Sequence, residues 1–595
     1  MKNLKKVMAL VLAGALTFGS MSMASFAAPA PVDAGSFDGT LTVNGTAAGD
    51  VISFYKLVEW VGDATGNVSG WAATSTYAGI LTEAKLTEVL LGDPDATPAV
   101  APTGITPALA AQLSAAAKGD SPVQSGDGTT LDVTNQNTKG PGIYMALITP
   151  SDADTVYNPV FVSSDFNLTA AGEISVTSSY TDGTAKKSTT SLDKTAETSE
   201  DNWDDLKWQT AAIGDTVTFT VVTTVPAYGE AYNHPHFAVK DKLTDLDLVS
   251  GSVKVTSPAL VKDTDYRVTE TGNGYTLEFT EPYLKSNTAA VKVTIEYDAL
   301  VSTTAPKHVN TEKNEVSTEF SHTPTSENDY SFKKDTTEHY TFTIDADILG
   351  GDEKGSGKKT KELVKIGQNA DGTPISSERI VSEISGVTVD EAPLAGAKFK
   401  LYTDPDCTVE YQPKKADGTP DSPLTIESQT DGRITGIIGL DAGTYYIQET
   451  QAPTGYVKDT RKVKIEIKAE TSLKTVTEYT TDGTTWISQS AYNDLPDKTG
   501  YKAYTFETET LDSYKVFVDG EDTASYTFIN KGTDAVIEWE TETKPGLENP
   551  FGFTNKKGFE LPSTGGIGTT IFYIVGVILV LGAGVVLVTR RRVNS

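Results

Sequence analysis

Cysteine is almost absent from this chain. Cys407 is the only cysteine among 595 residues, so no disulfide can form within the chain. Many small exported domains depend on disulfides for their stability. If this chain is exported, its domains must be stabilised in another way.

Positive charge is also scarce. The chain has 49 Lys and Arg against 80 Asp and Glu, which gives a formal net charge of −31 at pH 7. Nucleic acids and anionic lipid surfaces bind clustered Lys and Arg. The composition therefore argues against nucleic acid as a partner and is typical of a soluble extracellular protein that resists aggregation.

Catalytic and metal-binding motifs are missing as well. The sequence has no His-Glu-x-x-His, no Gly-x-Ser-x-Gly and no clustered metal-ligand spacing. His234 and His236 occur in an Asn-His-Pro-His stretch, which we interpret as a solvated loop. We predict that the chain is not an enzyme and holds neither a metal nor a cofactor.

Two apolar segments mark the ends of the sequence. Three lysines precede an apolar stretch over residues 7–19, and small residues follow up to Ala27, which predicts a signal peptide over residues 1–27. Residues 567–589 carry no charge and are long enough to cross a bilayer core of roughly 30 Å. Arg590, Arg591 and Arg592 follow and should stay cytoplasmic. The region between the two segments is expected to face the exterior.

The exported region reads as tandem β domains. Short runs rich in Val, Ile, Thr, Tyr and Phe alternate with polar residues, for example over 216–222, 291–297 and 444–450. This alternation predicts half-buried strands and a mostly β fold of tandem immunoglobulin-like β-sandwich domains. We expect domains over residues 28–185, 190–325 and 338–558, with a polar linker over 181–190 and one short helix over 106–118.

A pentapeptide precedes the C-terminal apolar run. It reads Leu561, Pro562, Ser563, Thr564, Gly565. With the apolar run and the arginine tail, residues 561–595 resemble the LPXTG cell-wall sorting signal of Gram-positive surface proteins. The resemblance implies that a sortase cleaves between Thr564 and Gly565 and passes the Thr564 carboxyl to an amine.

Internal motifs extend this resemblance to nearly the whole chain. Residues 446–456 resemble the E-box of sortase-assembled backbone pilins, and residues 393–401 resemble the start of a Cna-B-type domain. Residues 212–217 and 237–243 resemble a fimbrial isopeptide-forming domain. Residues 142–147 carry a weaker signal for the first domain. The chain therefore resembles the backbone pilins, the shaft subunits of Gram-positive fimbriae.

The resemblance implies that domains form intramolecular isopeptide bonds. A Lys amine attacks an Asn side-chain carbonyl, ammonia leaves, and a carboxyl assists. An exposed lysine has a pKa near 10.4 and is a poor nucleophile at neutral pH. Burial disfavours both the ammonium and the carboxylate, so an apolar core supplies a neutral amine and a protonated acid.

For the middle domain the resemblance and strand alternation single out Lys194, Asp241 and Asn314. Each shares an inward face with apolar neighbours two residues away. We expect Lys194 near the start of the domain and Asn314 in its last strand. Asn310 has the same parity as Asn314 and remains an alternative.

For the third domain the E-box makes Glu449 the carboxyl, and Asn555 matches the usual Asn of the last strand. Lys365 lies in the best strand-like run before the Cna-B start, although the distance to residue 393 departs from the usual short spacing and indicates an insertion. The alternatives left open are Lys359, Lys361 and Asn530. The first domain shows no comparable triad.

Polymerisation requires a further amine. Backbone pilins carry it in a Tyr-Pro-Lys-Asn-like motif at the end of the first domain, which is absent here, and Lys186 and Lys187 occupy the matching place. The resemblance implies a pilin sortase of class C and a housekeeping sortase, head-to-tail copies of this chain, peptidoglycan, minor pilins and a host surface as partners. The alternative is a monomeric wall-anchored or pilus-tip adhesin, which needs no acceptor lysine.

Overall fold

A computed structural model describes most of the exported region and the C-terminal helix. Its residues are 32–33, 39–62, 67–90, 96–98, 100–101, 103–133, 140, 142–168, 174–198, 208–302, 309–325, 329–344, 363–373, 380–381, 388–389, 392–430, 432, 434–518, 521–530, 539–542, 551–558 and 567–593. The predicted signal peptide, the pentapeptide 561–565, Lys359 and Lys361 lie outside these described residues.

The first domain is a β-sheet covered by two helices and by small sheets. Its described strands are β1 (Val32–Asp33), β2 (Thr40–Asn44), β3 (Val51–Gly62), β4 (Asn67–Ala73), β5 (Gln124–Gly126), β6 (Thr130–Asp132), β7 (Gly142–Thr149), β8 (Thr155–Tyr157), β9 (Val160–Leu168), β10 (Ile174–Thr181), β11 (Gly183–Thr184) and β12 (Lys187–Thr189). The main sheet has the order β1-β4-β3-β7-β9-β10, with β5 on β3. Because β7 is buried on both faces, it forms the centre of the domain.

Two helices pack on one face of that sheet, α1 (Glu83–Leu90) and α2 (Pro107–Ala116). The hydroxyl oxygen of Thr106 accepts the backbone N–H of Leu109 at 3.3 Å and caps α2, and Pro107 at the first turn lacks an N–H that would need a partner. Leu109 and Leu113 of α2 share a buried cluster with Met145 of β7. The helix predicted over 106–118 is confirmed, and its last turn tightens into a 3-10 segment, Ala117–Gly119.

The middle domain is a sandwich of two sheets. Its elements are β13 (Leu192–Thr198), β14 (Trp208–Thr210), β15 (Thr216–Val225), β16 (Phe237–Thr244), β17 (Leu246–Leu248), β18 (Lys254–Ser257), β19 (Tyr266–Thr271), β20 (Gly274–Phe279), α3 (Glu281–Ser286), β21 (Val291–Val301), β22 (Val309–Ser321) and β23 (Tyr330–Ile344). One sheet has the order β13-β15-β21-β17, with β18 on β21. The other has the order β14-β23-β22-β16-β20-β19. Alternate residues of β15 are buried, as the sequence predicted, and their side chains form the core between the sheets.

The third domain pairs a small sheet with a large one. Its elements are β24 (Leu363–Gln368), β25 (Ile380–Val381), β26 (Thr388–Val389), β27 (Ala392–Pro393), β28 (Lys398–Tyr402), β29 (Ile426–Ser428), β30 (Ile434–Thr435), β31 (Ile437–Leu440), β32 (Gly443–Gln451), β33 (Lys462–Thr480), β34 (Ile487–Ser488), α4 (Gln489–Asn493), β35 (Lys502–Val518), β36 (Glu521–Asn530), β37 (Trp539–Glu542) and β38 (Phe551–Lys556). The large sheet has the order β30-β29-β28-β32-β33-β35-β36-β37, and the small sheet has the order β27-β24-β38. The first and last strands of the domain, β24 and β38, are parallel neighbours in the small sheet, so the two ends of the domain lie side by side.

A long hairpin of the third domain reaches back onto the middle domain. Strands β33 and β35 have 19 and 17 residues and stay paired from Ile465 and Val518 to Thr480 and Lys502. The far half of this hairpin lies on β23. There Thr336 donates a hydrogen bond to the hydroxyl of Thr508 at 2.9 Å.

Ionic and aromatic contacts join the same two elements. The Lys334 ammonium of β23 lies 2.5 Å from Glu478 of the long hairpin and 2.6 Å from Glu315 of β22. The ring of Phe332 packs edge-on against Tyr504, with centroids 6.2 Å apart.

Two predicted boundaries differ from the structure. The break expected between residues 325 and 338 is crossed by β23, which pairs along its length with β22 and also with β31 of the third domain. The polar residues of this stretch resemble a linker, but the long hairpin covers them. The expected linker 181–190 contains β11 and β12, which pair with β2 and β8 of the first domain.

The C-terminal apolar run forms α5 (Ile567–Val593). Its residues 573–590 are apolar enough to cross a membrane and pack against no other part of the described chain. The predicted membrane-spanning segment therefore coincides with a helix.

Candidate functional site

Three predicted residues of the middle domain meet in its core. Lys194 of β13 comes from one sheet, and Asp241 of β16 and Asn314 of β22 come from the other. All three are buried, and the Lys194 ammonium lies 2.5 Å from Oδ2 of Asp241. The expectation that Asn314 occupies the last strand is wrong, because β23 follows β22 in the same sheet.

A tyrosine joins the acid to the amide. The Tyr297 hydroxyl, from β21, donates to Oδ2 of Asp241 at 2.6 Å and accepts the Nδ2–H of Asn314 at 2.8 Å. Oδ1 of Asp241 and Oδ1 of Asn314 are buried and have no hydrogen-bond partner. The sequence placed Tyr297 within a strand but gave no sign of its partners.

The apolar surroundings shift the pKa values of this group towards neutral forms. Burial lowers the pKa of Lys194 to about 8, against the opposing effect of Asp241. Burial also raises the pKa of Asp241, although Lys194 opposes the shift. The rings of Phe219 and Tyr297 lie 5.1 and 5.4 Å from the Lys194 nitrogen. Both shifts therefore raise the fraction of uncharged amine and of protonated acid at neutral pH, relative to exposed groups.

A buried histidine near Lys194 was also missed by sequence reasoning. His339 of β23 packs edge-on against Phe219, with centroids 5.3 Å apart, and neither ring nitrogen has a hydrogen-bond partner. Burial lowers the pKa of His339 to about 3, and Lys194 adds to the effect, so the imidazole is neutral. Sequence analysis had placed residue 339 in the next domain.

The third domain brings together a second set of predicted residues. Lys365 of β24 and Asn555 of β38 lie on adjacent parallel strands, where Gly367 is the register partner of Asn555. Glu449 of β32 approaches from the large sheet, and all three polar side chains are buried. The Lys365 nitrogen lies 3.1 Å from Oε1 of Glu449, at angles that do not form a hydrogen bond.

Glu449 contacts the amide of the second site directly. Its two carboxylate oxygens accept the Nδ2–H group of Asn555 at 3.1 Å each, and Oε2 also accepts the backbone N–H of Asp459 at 2.5 Å. Burial lowers the pKa of Lys365, opposed by Glu449. The Phe399 ring lies 5.6 Å from the lysine nitrogen. This arrangement repeats the Lys–acid–Asn grouping of the middle domain, with no bridging hydroxyl among its described contacts.

The alternative asparagines have different positions. Asn530 lies on β36, three strands away from β32 in the large sheet, where its register partner is Trp539. Asn310 lies on β22 four residues before Asn314, with Thr341 as its register partner. Asn314 and Asn555 each contact a residue of their site, Tyr297 and Glu449 respectively.

The two acceptor candidates line one cavity between the first and middle domains. Lys187 of β12 is exposed, whereas Lys186 is half-buried. The cavity has a volume of about 770 Å³ and is also lined by residues 227–231 and 285–290. Both lysines are therefore next to a space large enough to receive an extended peptide segment.

Of the two histidines expected in a solvated loop, His234 is exposed in a loop, whereas His236 is not. His236 is mostly buried, lies 3.0 Å from Oε1 of Glu319 and packs near the ring of Tyr330. His234 is more exposed and lies 3.4 Å from Glu281. Within the described part of the chain, no group of three or more His, Cys, Asp or Glu is placed to hold a metal ion.

Two known families match parts of the chain. Residues 383–482 match a prealbumin-like fold domain of the SpaA family, and residues 554–595 match the LPXTG cell wall anchor motif. Glu449 lies within the first match, and Asn555 and Thr564 lie within the second. The anchor motif and α5 mark a cell-wall-anchored surface protein with a membrane-anchored precursor.

Longer similarities extend over most of the chain. The trypsin-resistant surface T6 protein of Streptococcus pyogenes serotype M6 is 23% identical over 490 residues, which cover 77% of this chain and 80% of that protein. The solved T6 backbone pilin of serotype M6 S. pyogenes gives a TM-score of 0.48 at 16% identity and covers 88% of this chain and 99% of that one. The major pilin SpaD of Corynebacterium diphtheriae gives 0.37 at 17% identity and covers 71% and 88%.

Proposed function

We propose that this chain, a cell-wall-anchored homologue of Gram-positive backbone pilins, is the shaft subunit of a covalently polymerised pilus. The observation that carries the proposal is the presence of two buried Lys–acid–Asn groups in successive domains, ahead of a sorting motif. An uncrosslinked protein would gain little from burying these charges, since isolated buried ionic groups are costly. A reaction that consumes the lysine removes that cost.

In each group the lysine forms an isopeptide bond with the asparagine. The neutral amine attacks the side-chain carbonyl carbon, and the amide nitrogen leaves as ammonia. Asp241 assists in the middle domain and Glu449 in the third. The unpartnered oxygens of Asn314 and Asn555 support this assignment, because a protonated acid can donate to a carbonyl oxygen that nothing else occupies.

Lys187 is the acceptor for the next subunit. It is the more exposed of the two candidate lysines and lines the cavity between the first and middle domains. A sortase releases residues 565–595 and joins the Thr564 carboxyl to this amine. The polymer then runs from the C-terminal end of one third domain to the start of the next middle domain, and the first domain lies beside the path of tension.

The other partners follow from the anchor and from this assembly. A pilin sortase of class C builds the polymer, a housekeeping sortase attaches its base to peptidoglycan, and minor pilins complete the fibre. The shaft supports adhesion to a host surface. A monomeric or tip adhesin is the second candidate, and the accessible lysine beside the cavity favours the shaft.

Polymer formation on cells tests the proposal. Wild-type chain should give high-mass ladders in wall extracts, and Thr564→Ala should give none. Lys187→Ala should leave monomer attached to the wall, whereas Lys186→Ala, the matched control, should still form ladders. Monomer alone from the wild-type chain would instead establish the adhesin, and ladders from Lys187→Ala would assign the acceptor elsewhere.

A further inference from the structure

Four buried polar groups form a continuous chain in the middle domain. The nitrogen of Lys194 lies 2.5 Å from Oδ2 of Asp241, the same oxygen lies 2.6 Å from the Tyr297 hydroxyl, and that hydroxyl lies 2.8 Å from Nδ2 of Asn314. The two ends of this chain are the attacking nitrogen and the leaving nitrogen of the proposed bond. Tyr297 is therefore in contact with a reacting atom.

The third domain offers an internal comparison. There the carboxylate of Glu449 contacts Nδ2 of Asn555 directly, at 3.1 Å from each oxygen. No hydroxyl lies between the acid and the leaving nitrogen among the described contacts of that site. In the middle domain Asp241 shows no hydrogen bond to Asn314, and its side chain is hydrogen-bonded to Lys194 and Tyr297. The two sites differ in how their acid reaches the amide.

We propose that Tyr297 is a catalytic residue of the middle-domain crosslink, and that its hydroxyl carries a proton from Asp241 to the departing nitrogen of Asn314. This role rests on the proposed isopeptide chemistry and adds a group that the sequence motifs do not contain. Asp241 contacts the attacking amine, and Tyr297 connects Asp241 to the leaving nitrogen of Asn314.

The step balances with the groups in the site. The Lys194 nitrogen forms a bond with Cγ of Asn314, and the bond between Cγ and Nδ2 breaks. The amine loses one proton to Oδ2 of Asp241. Asp241 passes a proton to the Tyr297 oxygen, while the Tyr297 hydroxyl gives its own proton to Nδ2. The products are a secondary amide and ammonia, and Asp241 and Tyr297 return to their starting protonation states.

The direction of the hydrogen bonds reverses during this reaction. In the ground state the amide Nδ2–H donates to Tyr297, because the nitrogen lone pair is shared with the carbonyl. Attack by the amine makes Cγ tetrahedral, and the lone pair becomes localised on Nδ2. The nitrogen then accepts a proton, and the tyrosine hydroxyl is already within hydrogen-bond distance.

The surroundings hold Tyr297 in this position and keep it neutral. Its ring stacks on Phe219 at 5.2 Å and meets Tyr275 edge-on at 4.9 Å. Burial raises the pKa of Tyr297 well above its usual value, and nearby Asp241 adds to the effect. A phenol that does not ionise can give up its proton only if it receives another at the same time. Tyr297 can therefore pass a proton on without becoming charged.

The test compares Tyr297→Phe with Tyr275→Phe in the full-length chain. Both changes remove one buried hydroxyl, but the Tyr275 hydroxyl has no hydrogen-bond partner and so provides a matched control. Cell-free synthesis is stopped in denaturant at timed intervals. Tryptic peptides that join Lys194 to Asn314 and Lys365 to Asn555 are then quantified by mass spectrometry.

We expect Tyr297→Phe to slow the middle-domain bond by about 100-fold or more, the usual contribution of a positioned proton donor. The third-domain bond of the same molecule and both bonds of Tyr275→Phe should form at wild-type rates. Equal middle-domain rates in the two variants would overturn the relay. Loss of the bond together with proteolysis of the middle domain would also overturn it, because the hydroxyl would then be structural. Absence of both bonds from the wild-type chain would instead refute the proposed crosslinking itself.

Discussion

A subunit pulled between Lys187 and its C-terminal Thr564 should lengthen mainly in one segment. Under the proposed bonds, tension passes from Lys194 to Asn314 and from Lys365 to Asn555 without unfolding the chain between them. Residues 315–364 are the one long stretch of this path that no proposed bond spans. At roughly 3.3–3.6 Å per extended residue, these 50 or so residues release about 170 Å of chain.

Non-covalent contacts must hold that segment under load. It contains the end of β22 and all of β23, and Lys334 fastens β23 to Glu315 and to Glu478 of the long hairpin. Lys334→Met leaves both carboxylates without this partner, and breaking a buried ion pair costs about 3–5 kcal/mol. Glu315 still has the Lys313 ammonium 3.4 Å away in this variant, so it is not left unpaired. We therefore expect the lower end of that range. We expect the segment to extend at lower force, with the same change in length.

Single-molecule force spectroscopy measures both quantities. Cysteine handles at positions 187 and 564 require Cys407→Ser, since Cys407 is the only native thiol. Lys468→Met changes an exposed lysine of β33 and serves as the control that should leave force and length unchanged. Lys365→Met should add the chain from 366 to 554, about 650 Å. A wild-type subunit that extends by several hundred ångströms, or a Lys365→Met variant that extends no further than wild type, would refute the assigned load path.

Two further predictions concern the acids. Asp241→Ala should abolish loss of ammonia from the middle domain and leave the Lys365–Asn555 linked peptide intact, as mapped by mass spectrometry. A middle-domain bond in this variant would show that Asp241 is not the assisting acid. Although burial opposes the shift, Lys313 and Lys334 lower the pKa of Glu315 to about 2. The ionised Glu315 carboxylate therefore contributes up to about 3 kcal/mol to the free energy of unfolding above pH 4.5. This contribution is lost as pH falls towards 2. Chemical unfolding at several pH values should show a weaker dependence over this range in Lys334→Met, and identical profiles for both proteins would contradict the ion-pair account.

Local sequence pattern was sufficient for much of the fold. Alternation predicted the strands near 216–222, 291–297 and 444–450, because a strand buried on one face needs an apolar residue at every second position. Ala- and Leu-rich spacing predicted the helix near 106–118, and length with missing charge predicted α5. Each of these features depends on residues that are neighbours along the chain.

Strand parity also predicted that Lys194, Asp241 and Asn314 face a core, but not what else faces it. Tyr297 and His339 occupy inward-facing strand positions, as many apolar residues do, and this pattern does not distinguish them. Which groups they contact depends on which strands face each other across the sandwich. The break expected near 325–338 failed for a related reason. Its polar residues are buried by a hairpin more than a hundred residues later in the chain. The local sequence contains no pattern that indicates this burial.

The sequence alone therefore determined the anchor segment, the mostly β character and the residue types of the two candidate sites, and it predicts a signal peptide. These follow from hydrophobic periodicity and from short motifs, which are local. Only the tertiary structure decided that a tyrosine connects Asp241 to Asn314 and that β23 runs without a break into contact with the third domain. Both depend on the packing of distant strands, which places groups far apart in sequence within hydrogen-bond distance.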